Sequence, residues 1–267
     1  MEKNIRERER EEGRKKAALA RKRRRRNALI AVLISLLLIL AIAFAIVAAF
    51  VFFKVDKITV KGSSEQYTKS QIIEISDIEK EDNLLFLNKK EITEKITEKL
   101  PYIKSVKIEK KFPSSVIISV TETTTELCIL SDGKYYAADN DGKILSKLDT
   151  PLENLPLFVL PKECSIKVGK AIEIEDEAVL QLLEDCMGLI NQYDFKINSV
   201  DISNAYDLYL TVDNRLKVKV GSPNNFDMKM AHFNTMFKSM PKEAEGIVDL
   251  SSWTPKKHEA FFTASDF

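Results

Sequence analysis

The sequence predicts an α+β protein in which a single transmembrane helix is followed by two extracytoplasmic domains. Three observations support this fold class. A long apolar run occupies residues 28–53. The segment 54–122 then reads in the order strand, helix, helix, strand, strand. Residues 123–253 mix short strands with two amphipathic helices, a pattern typical of a mixed α/β domain.

The apolar run from Ala28 to Phe53 predicts the transmembrane helix. Only Ser35 interrupts it with a polar side chain. As a helix the run would be about 39 Å long, which is enough to cross a hydrocarbon core of about 30 Å. The stretch 41–43, Ala-Ile-Ala, resembles a signal-peptidase site, but ten apolar residues follow it. In a signal peptide the apolar region is about 7–15 residues long and the cleavage site follows it directly, whereas here the apolar run continues past the site. An uncleaved anchor is therefore favoured over a cleaved signal.

The charge distribution predicts the orientation of this helix. Residues 1–27 contain thirteen Lys or Arg and five Glu, a net charge of +8, whereas the whole chain has a net charge of +1 and residues 28–267 therefore carry −7. The positive-inside rule places the basic tail, 1–27, in the cytoplasm and residues 54–267 outside. The tail is expected to be disordered or a frayed helix. Nucleic-acid binding is a weak alternative, because membrane topology already explains a basic run beside an apolar span.

The first extracytoplasmic domain is predicted to span residues 54–122. It begins with a strand at 55–62 and a short helix at 70–78. A second helix starts at Asn88, whose side chain can cap it with Glu91 three residues on, and it ends at Pro101. Two alternating strands follow within 102–122, with Pro113 in the turn between them.

The second domain is predicted to span residues 123–253. A meander comes first, with turns at Asp132-Gly133 and Asp141-Gly142. Later segments predict a helix, a hairpin, a second helix and a last short strand, in that order: 175–193, 207–221, 226–240 and 247–253. Residues 254–267 form a polar, mixed C-terminal tail that ends at Phe267.

The order of these segments resembles the FtsQ family of bacterial cell-division proteins, called DivIB in Gram-positive bacteria. No single motif carries the resemblance, which rests on "FKVDKITVKG", "LPYIKSVKIEKKFPSSVIISVTE", "KYYAADNDGKIL", "LPLFV", "LKVKVG" and "EGIVDLSSW" occurring in sequence. It implies that residues 54–122 form a POTRA domain (β-α-α-β-β) and residues 123–253 the family's β domain. The chain departs from the family at Phe112, where Trp is usual, and at Ser105, where Ala is frequent.

No catalytic residue, metal site or cofactor site is predicted. The two histidines, His232 and His258, are far apart in sequence, and no Cys/His cluster has zinc spacing. Nucleophile elbows, phosphate loops and dinucleotide fingerprints are absent from the sequence. A calcium loop around Asp139 would need ligands where Ala137 and Leu148 stand, so a hairpin turn is the better interpretation.

The three cysteines exclude a disulfide framework, because an odd number cannot all pair with one another. Cys128 and Cys186 lie among apolar residues, which indicates buried free thiols, and Cys164 is the third. One disulfide remains open as an alternative.

The last predicted strand is the candidate partner-binding site. A short strand near the C-terminus is expected at a sheet edge, where free N–H and C=O groups can pair with a partner strand. The alternative is that Val248 and Leu250 pack into the core and Trp253 covers it. The resemblance favours binding, since in the family this region binds FtsB (DivIC) together with FtsL. The candidate residues are Ile247, Val248, Asp249, Leu250, Ser251, Ser252 and Trp253.

These observations predict a non-enzymatic, single-pass scaffold of the bacterial division machinery. The resemblance implies a location in the cell membrane at the division septum, and partners resembling FtsB/DivIC and FtsL, with no nucleic acid or small-molecule substrate. Three alternatives remain. One is a POTRA-bearing factor for envelope protein assembly or secretion, although no barrel-like set of strands follows. The others are a membrane-anchored envelope enzyme and a signal-sensing ectodomain.

Overall fold

The computed structural model of the chain describes residues 2–62 and 64–265, so Met1, Ser63, Asp266 and Phe267, including the last two residues of the predicted tail, lie outside the described part. The chain divides into two compact units. One comprises Met1–Ile58, Glu79–Leu87 and Lys110–Val116. The other comprises Thr59–Ile78, Asn88–Glu109 and Ile117–Phe267. The domain boundaries inferred from the sequence remain predictions.

The N-terminal part of the chain is one long helix, α1 (Glu2–Phe52). Within it, Arg26–Phe52 is long and apolar enough to cross a membrane, close to the predicted span of 28–53. The basic tail was expected to be disordered or frayed, but its backbone is helical from Glu2 onward. Glu, Lys and Arg are good helix formers, and the apolar segment supplies a helix on which the tail can extend.

The next elements follow the predicted order. They are β1 (Lys57–Lys61), α2 (Lys69–Ser76), α3 (Lys89–Lys99), β2 (Ile103–Lys111) and β3 (Ser115–Glu122). The three strands form a sheet in the order β1-β3-β2. Asn88 caps α3 by accepting a hydrogen bond from the Glu91 amide, as the sequence indicated. Ile92 and Ile96 on α3 and Ile72 on α2 are buried.

The remainder of the chain contributes eleven strands, two α-helices and one short 3-10 helix (Leu189–Asn191) within the described residues. They are β4 (Leu127–Ser131), β5 (Lys134–Ala138), β6 (Ile144–Leu148), β7 (Leu157–Val159), β8 (Cys164–Ser165), β9 (Glu173–Ile174), α4 (Glu177–Gly188), β10 (Ile197–Asp201), β11 (Leu208–Val212), β12 (Leu216–Gly221), α5 (Phe226–Ser239), β13 (Gly246–Asp249) and β14 (Phe261–Ala264).

Nine of these strands form one mixed sheet in the order β14-β13-β12-β11-β10-β7-β4-β5-β6. The meander β4-β5-β6 and the hairpin β11-β12 are antiparallel, as predicted. Strand β13 runs parallel to β12, and α5 connects them. Strand β7 joins the two halves by pairing in parallel with both β4 and β10. The short strands β8 and β9 pair separately.

The core lies where α4 and α5 pack against buried residues of this sheet. A row of aligned residues, one per strand, crosses β10 to β13: Val200, Leu210, Val218 and Val248. All four are fully or almost fully buried with Met230 and Phe233 of α5 and Leu182 and Cys186 of α4. Cys128 is buried as well, which confirms the predicted burial of both Cys128 and Cys186.

Five strands were not recognised from the sequence: β7, β8, β9, β10 and β14. Strands β7, β8 and β9 are only two or three residues long, too short to show an alternating pattern. Strand β10 was not recognised, because "INSVD" alternates weakly and follows a polar turn. Strand β14 lies in the segment described as a polar tail. Its four side chains are all exposed.

Candidate partner-binding edge

The seven residues proposed as a partner-binding strand divide into a buried and an exposed set. Val248 and Leu250 are fully buried and Trp253 is almost fully buried, all within the main core. Within β13, Ile247 is exposed and Asp249 half-buried, whereas Val248 between them is buried. Ser251 is exposed in the turn that follows the strand. Ser252 is also exposed. The core-packing interpretation therefore holds for three residues, whose side chains are not available to a partner.

Ile247 and Asp249 lie on the face of the sheet opposite the buried Val248, which we call the outer face. Two rows of aligned residues cross it. One row is Asp201, Tyr209, Lys219, Asp249 and Phe261. The other is Ser199, Thr211, Lys217, Ile247 and Thr263. The side chains in β10 and β11 are half-buried, whereas those of Phe261 and Thr263 in β14 are exposed, so the outer face becomes more accessible towards β14.

Strand β13 is not the sheet edge that the sequence suggested. Strand β14 folds back and pairs with it in antiparallel register, placing Ile247 opposite Thr263 and Val248 opposite Phe262. Gly246 permits this approach, because a Cβ atom there would lie 2.2 Å from the Thr263 carbonyl oxygen. Its φ of +149° is also in the region that favours glycine. The prediction that β13 is the edge strand was therefore wrong by one strand, because the segment 254–267 was interpreted as a tail without a strand.

Strand β14 is the terminal strand at this end of the sheet within the described residues. In an antiparallel pair, every second residue exchanges both backbone hydrogen bonds with the partner strand. The N–H and C=O groups of the residues in between point away from that strand. The Ser265 amide donates to the Glu245 carbonyl. On the other side of β13, the Gly246 amide donates to the Arg215 carbonyl just before β12, and the Leu250 amide donates to the Lys219 carbonyl within β12. By this alternation, Phe261 and Thr263 bond to β13, and the N–H and C=O groups of Phe262 and Ala264 point outward.

The opposite end of the sheet is covered at the start of β6. The Ile144 amide at the start of β6 donates to the Lys170 carbonyl at 2.9 Å, and the Gly169 amide donates to the Ile144 carbonyl at 2.8 Å. A backbone bridge also joins Lys143 to Ala171. Covering an edge in this way prevents pairing with another chain. The outward groups of β14 therefore form the open edge of the sheet, flanked by Phe261 and Phe262, which are 58% and 41% exposed.

Asp249 fixes the chain where it leaves β13. Its carboxylate accepts hydrogen bonds from the Ser251 amide at 2.8 Å and the Ser251 hydroxyl at 2.6 Å. Partial burial by itself would raise the pKa of Asp249, but these hydrogen bonds, with the charges of Lys219 and Lys229, hold the pKa below its ordinary value. Asp201 and Ser203 form the same arrangement at the end of β10.

Trp253 is buried and packs against the rings of two histidines. Its ring centroid lies 6.0 Å from that of His232 and 5.5 Å from that of His258. The two histidine rings are 6.1 Å apart although 26 residues separate them in the sequence. Among residues 2–62 and 64–265, no group of three or more His, Cys, Asp or Glu side chains could hold a metal ion.

The sequence reasoning missed the β14 residues of this edge, Phe261, Phe262, Thr263 and Ala264. The signal that could have found them is the run "AFFTA", which is the only apolar stretch after Trp253 and is rich in residues that favour strands. The preceding "TPKKHE" provides a polar connection with a proline, as a turn between two strands requires.

Comparison with known proteins places both parts of the chain. The family model described as "POTRA domain, FtsQ-type" matches residues 53–123. The one described as "Cell division protein FtsQ/DivIB, C-terminal" matches residues 129–251. The chain is 28% identical over 183 residues to cell division protein DivIB of Clostridium tetani, covering 67% of this chain and 68% of that protein.

Two further relatives support the same assignment. Cell division protein DivIB of Clostridium acetobutylicum is 28% identical over 204 residues, which cover 75% of this chain and 80% of the relative. Cell division protein DivIB of Bacillus subtilis is 27% identical over 197 residues, which cover 74% and 71%. The second family match ends at residue 251, before the strand β14.

Proposed function

The chain belongs to the FtsQ/DivIB family of cell-division proteins, and on that premise we propose that it is a non-enzymatic, single-pass membrane scaffold that captures a partner strand at the open edge of β14. The partners we propose are small coiled-coil division proteins resembling FtsB/DivIC and FtsL. By holding them, the scaffold helps to assemble and regulate septal wall synthesis.

The proposed topology rests on α1 and on charge. The apolar stretch Arg26–Phe52 is preceded by the basic tail, so the positive-inside rule favours a cytoplasmic N-terminus. Residues 54–267 would then lie outside the cytoplasm, where the partner's own extracytoplasmic segment can reach them. We propose the division septum as the site at which this assembly acts.

The observation that carries the binding proposal is the difference between the two ends of the nine-stranded sheet. The start of β6 is covered by residues 169–171 of the chain itself, whereas β14 presents the outward groups of Phe262 and Ala264. A partner strand that adds there gains main-chain hydrogen bonds, and side-chain pockets supply specificity. The exposed Phe261 and Phe262 provide apolar contacts on the two sides of the added strand.

The seven residues proposed from the sequence have two different roles in this mechanism. Val248, Leu250 and Trp253 anchor β13 in the core and so hold the platform on which β14 lies. Ile247, Asp249, Ser251 and Ser252 stay accessible on or beside the outer face. We propose that partner side chains extending past β14 reach Ile247 first.

Co-purification from the protein's own host tests this function. The full-length chain is solubilised from membranes in detergent, captured, and its partners are identified by mass spectrometry. Recovery of small single-span coiled-coil proteins in near-equal amount would support the proposal. A chain lacking residues 260–267 serves as the matched control and should lose them. Recovery of barrel proteins or secretion substrates instead would contradict the scaffold function.

A further inference from the structure

The end of α1 and two neighbouring loops form an apolar surface in the unit that contains the helix. Three side chains of these loops are exposed although they are large and apolar: Leu85 is 41%, Phe86 is 68% and Phe112 is 59% exposed. Leu85 and Phe86 lie between α2 and α3, and Phe112 lies in the turn between β2 and β3. We call these three residues the apolar foot. Large apolar residues clustered on a surface mark an interaction site.

The foot is attached directly to the end of the candidate membrane span. The ring of Phe86 lies 5.4 Å from that of Phe50, and the ring of Phe112 lies 5.4 Å from that of Phe53 in an edge-to-face arrangement. Phe50 belongs to the span Arg26–Phe52. Because Phe50 lies three residues before Phe53, the Phe86 ring sits about 4.5 Å inside the end of the apolar helix.

Hydrogen bonds hold the loop of residues 79–87 at this position. The Leu84 amide donates to the Phe53 carbonyl at 2.7 Å, and the Val55 amide donates to the Asp82 carbonyl at 2.8 Å. The Asn83 side-chain amide donates to the carbonyl of Ala49 at 3.2 Å, one turn back inside the helix. The first of these bonds satisfies the Phe53 carbonyl, which the helix end leaves without an intrahelical partner.

The turn that carries Phe112 is tied to the same place. The Asp56 amide donates to the Ser114 carbonyl at 2.8 Å, just beyond the helix end. The Lys110 ammonium donates to the Leu85 carbonyl at 3.0 Å and links this turn to the first loop. These hydrogen bonds therefore fix the position of the foot relative to the end of the span.

The length of the apolar helix places the foot at the depth of the bilayer interface. The run from Ala28 to Phe53 is about 39 Å long, against a hydrocarbon core of about 30 Å, so about 9 Å of apolar helix extends into the interface. The basic residues before Ala28 are expected to stay at the cytoplasmic headgroups. The apolar residues in excess of the hydrocarbon core then lie at the Phe53 end of the helix. That is the end to which Phe86 and Phe112 are attached.

We propose that Leu85, Phe86 and Phe112 insert into the outer interface of the bilayer and hold the membrane-proximal part of the chain against the lipid surface. The occupant of the foot is lipid. This inference rests on the membrane anchoring by α1 proposed above. It adds a second, independent contact with the membrane that orients the first extracytoplasmic residues instead of leaving them on a single helical stalk.

The charges around the foot indicate which lipid chemistry is needed. Residues 54–58, 79–87 and 110–116 contain five Lys and four Asp or Glu, so they are close to neutral. Electrostatic attraction to anionic lipid requires a cluster of basic residues, which is not found here. The contact is therefore apolar, and vesicles of zwitterionic phosphatidylcholine are sufficient to support it.

Tryptophan fluorescence in proteoliposomes tests this inference. The full-length variants Phe86→Trp and Phe112→Trp are reconstituted into phosphatidylcholine that is brominated either near the headgroup or near the chain terminus. The wild-type chain, whose single Trp253 is buried, gives the background. We expect blue-shifted emission from both variants and a larger loss of emission with the shallow bromine than with the deep one, because interfacial side chains lie about 5–10 Å deep.

Two control variants make the outcome decisive. Ile39→Trp, in the middle of the span, should be quenched most strongly by the deep bromine. Lys57→Trp, exposed at the start of β1, should keep a solvent-like emission with little quenching. If Ile39→Trp is quenched and Phe86→Trp is solvent-like, the foot does not contact lipid although the anchor stands.

Two further outcomes would overturn the inference. If Phe86→Trp is blue-shifted but not quenched, a protein surface such as a second copy of the chain covers the foot, and the lipid proposal is overturned. If Ile39→Trp itself is not quenched, the membrane anchoring fails and the inference that rests on it fails for that separate reason.

Discussion

Ile247 of β13 lies directly opposite Thr263 of β14, although the sequence suggested that no strand follows β13. This pairing transfers the open edge of the nine-stranded sheet from β13 to the last strand. It also explains why β14 escaped notice: pairing with β13 requires a short segment of suitable backbone and a glycine opposite Ala264, and it requires no buried side chain. The candidate site is therefore defined by backbone geometry more than by side-chain chemistry.

Replacing Phe262 by Pro should abolish partner capture, whereas replacing it by Ala should only weaken capture. Both variants lose the ring, but only Pro removes the outward N–H group that we assign to the partner strand. Proline is tolerated in an edge strand where its nitrogen faces outward, so the fold should be retained. The measurement is co-purification from detergent extracts, with thermal unfolding as the control. Equal capture by the two variants would show that the main chain of β14 is not used.

Substitutions on the outer face should weaken partner binding less the further they lie from the β14 edge. We expect Phe261→Ser to reduce capture strongly, and Ile247→Ser, one strand further in on the same outer face, to reduce it less. Both residues are exposed, so each change should alter the free energy of unfolding by no more than about 0.5 kcal/mol. Titration of the purified chain with its partner gives the two affinities. A greater loss at Ile247 than at Phe261 would indicate that the partner packs on the outer face and does not extend the sheet.

Leu250→Ala should destabilise the chain by about 2–5 kcal/mol, because Leu250 is fully buried and the substitution leaves a cavity in the core. Ser252→Ala, two residues away and exposed, should be close to neutral. Urea unfolding of the two variants in detergent gives both values. A stable Leu250→Ala variant that has lost only partner binding would restore the interpretation of Leu250 as a contact residue.

The Asp249 carboxylate should contribute stability that disappears in acid. Its pKa in the folded chain is held below the ordinary value, so the contribution is present above the unfolded pKa of about 3.9 and is lost as the pH falls through the folded pKa. The difference in unfolding free energy between the wild type and Asp249→Asn should therefore be constant near neutral pH and shrink as the pH falls below about 4. Ser251→Ala, which removes one donor to this carboxylate, should show part of the same effect. A difference that stays constant with pH would contradict this assignment.

Much of the fold could be predicted because it follows from side-chain patterns. The cap at Asn88, the buried stripe of α3 and the hairpin turns at Asp132-Gly133 and Asp213-Asn214 each leave a local signal in the sequence. The core-packing alternative for Val248 and Leu250 was also correct. These features depend on residues that are close in the chain, which is why sequence reasoning reached them.

The features that could not be predicted depend on distant backbone pairing. Nothing local in 261–264 indicates that this segment returns to β13, and nothing near residue 144 indicates that residues 169–171 cover the β6 edge. Likewise, the meeting of His232, Trp253 and His258 follows from the path of the chain between β13 and β14. Which edge is open is a property of the whole sheet.

Hydrogen–deuterium exchange resolved to single amides tests the central claim most directly. In the free full-length chain the amides of Phe261 and Thr263, bonded to β13, should exchange more slowly than those of Phe262 and Ala264, which point outward. Addition of the partner should slow the Phe262 and Ala264 amides to the rate of their neighbours. If those two amides exchange at the same rate with and without bound partner, no strand adds to β14 and the proposed mechanism of capture is wrong.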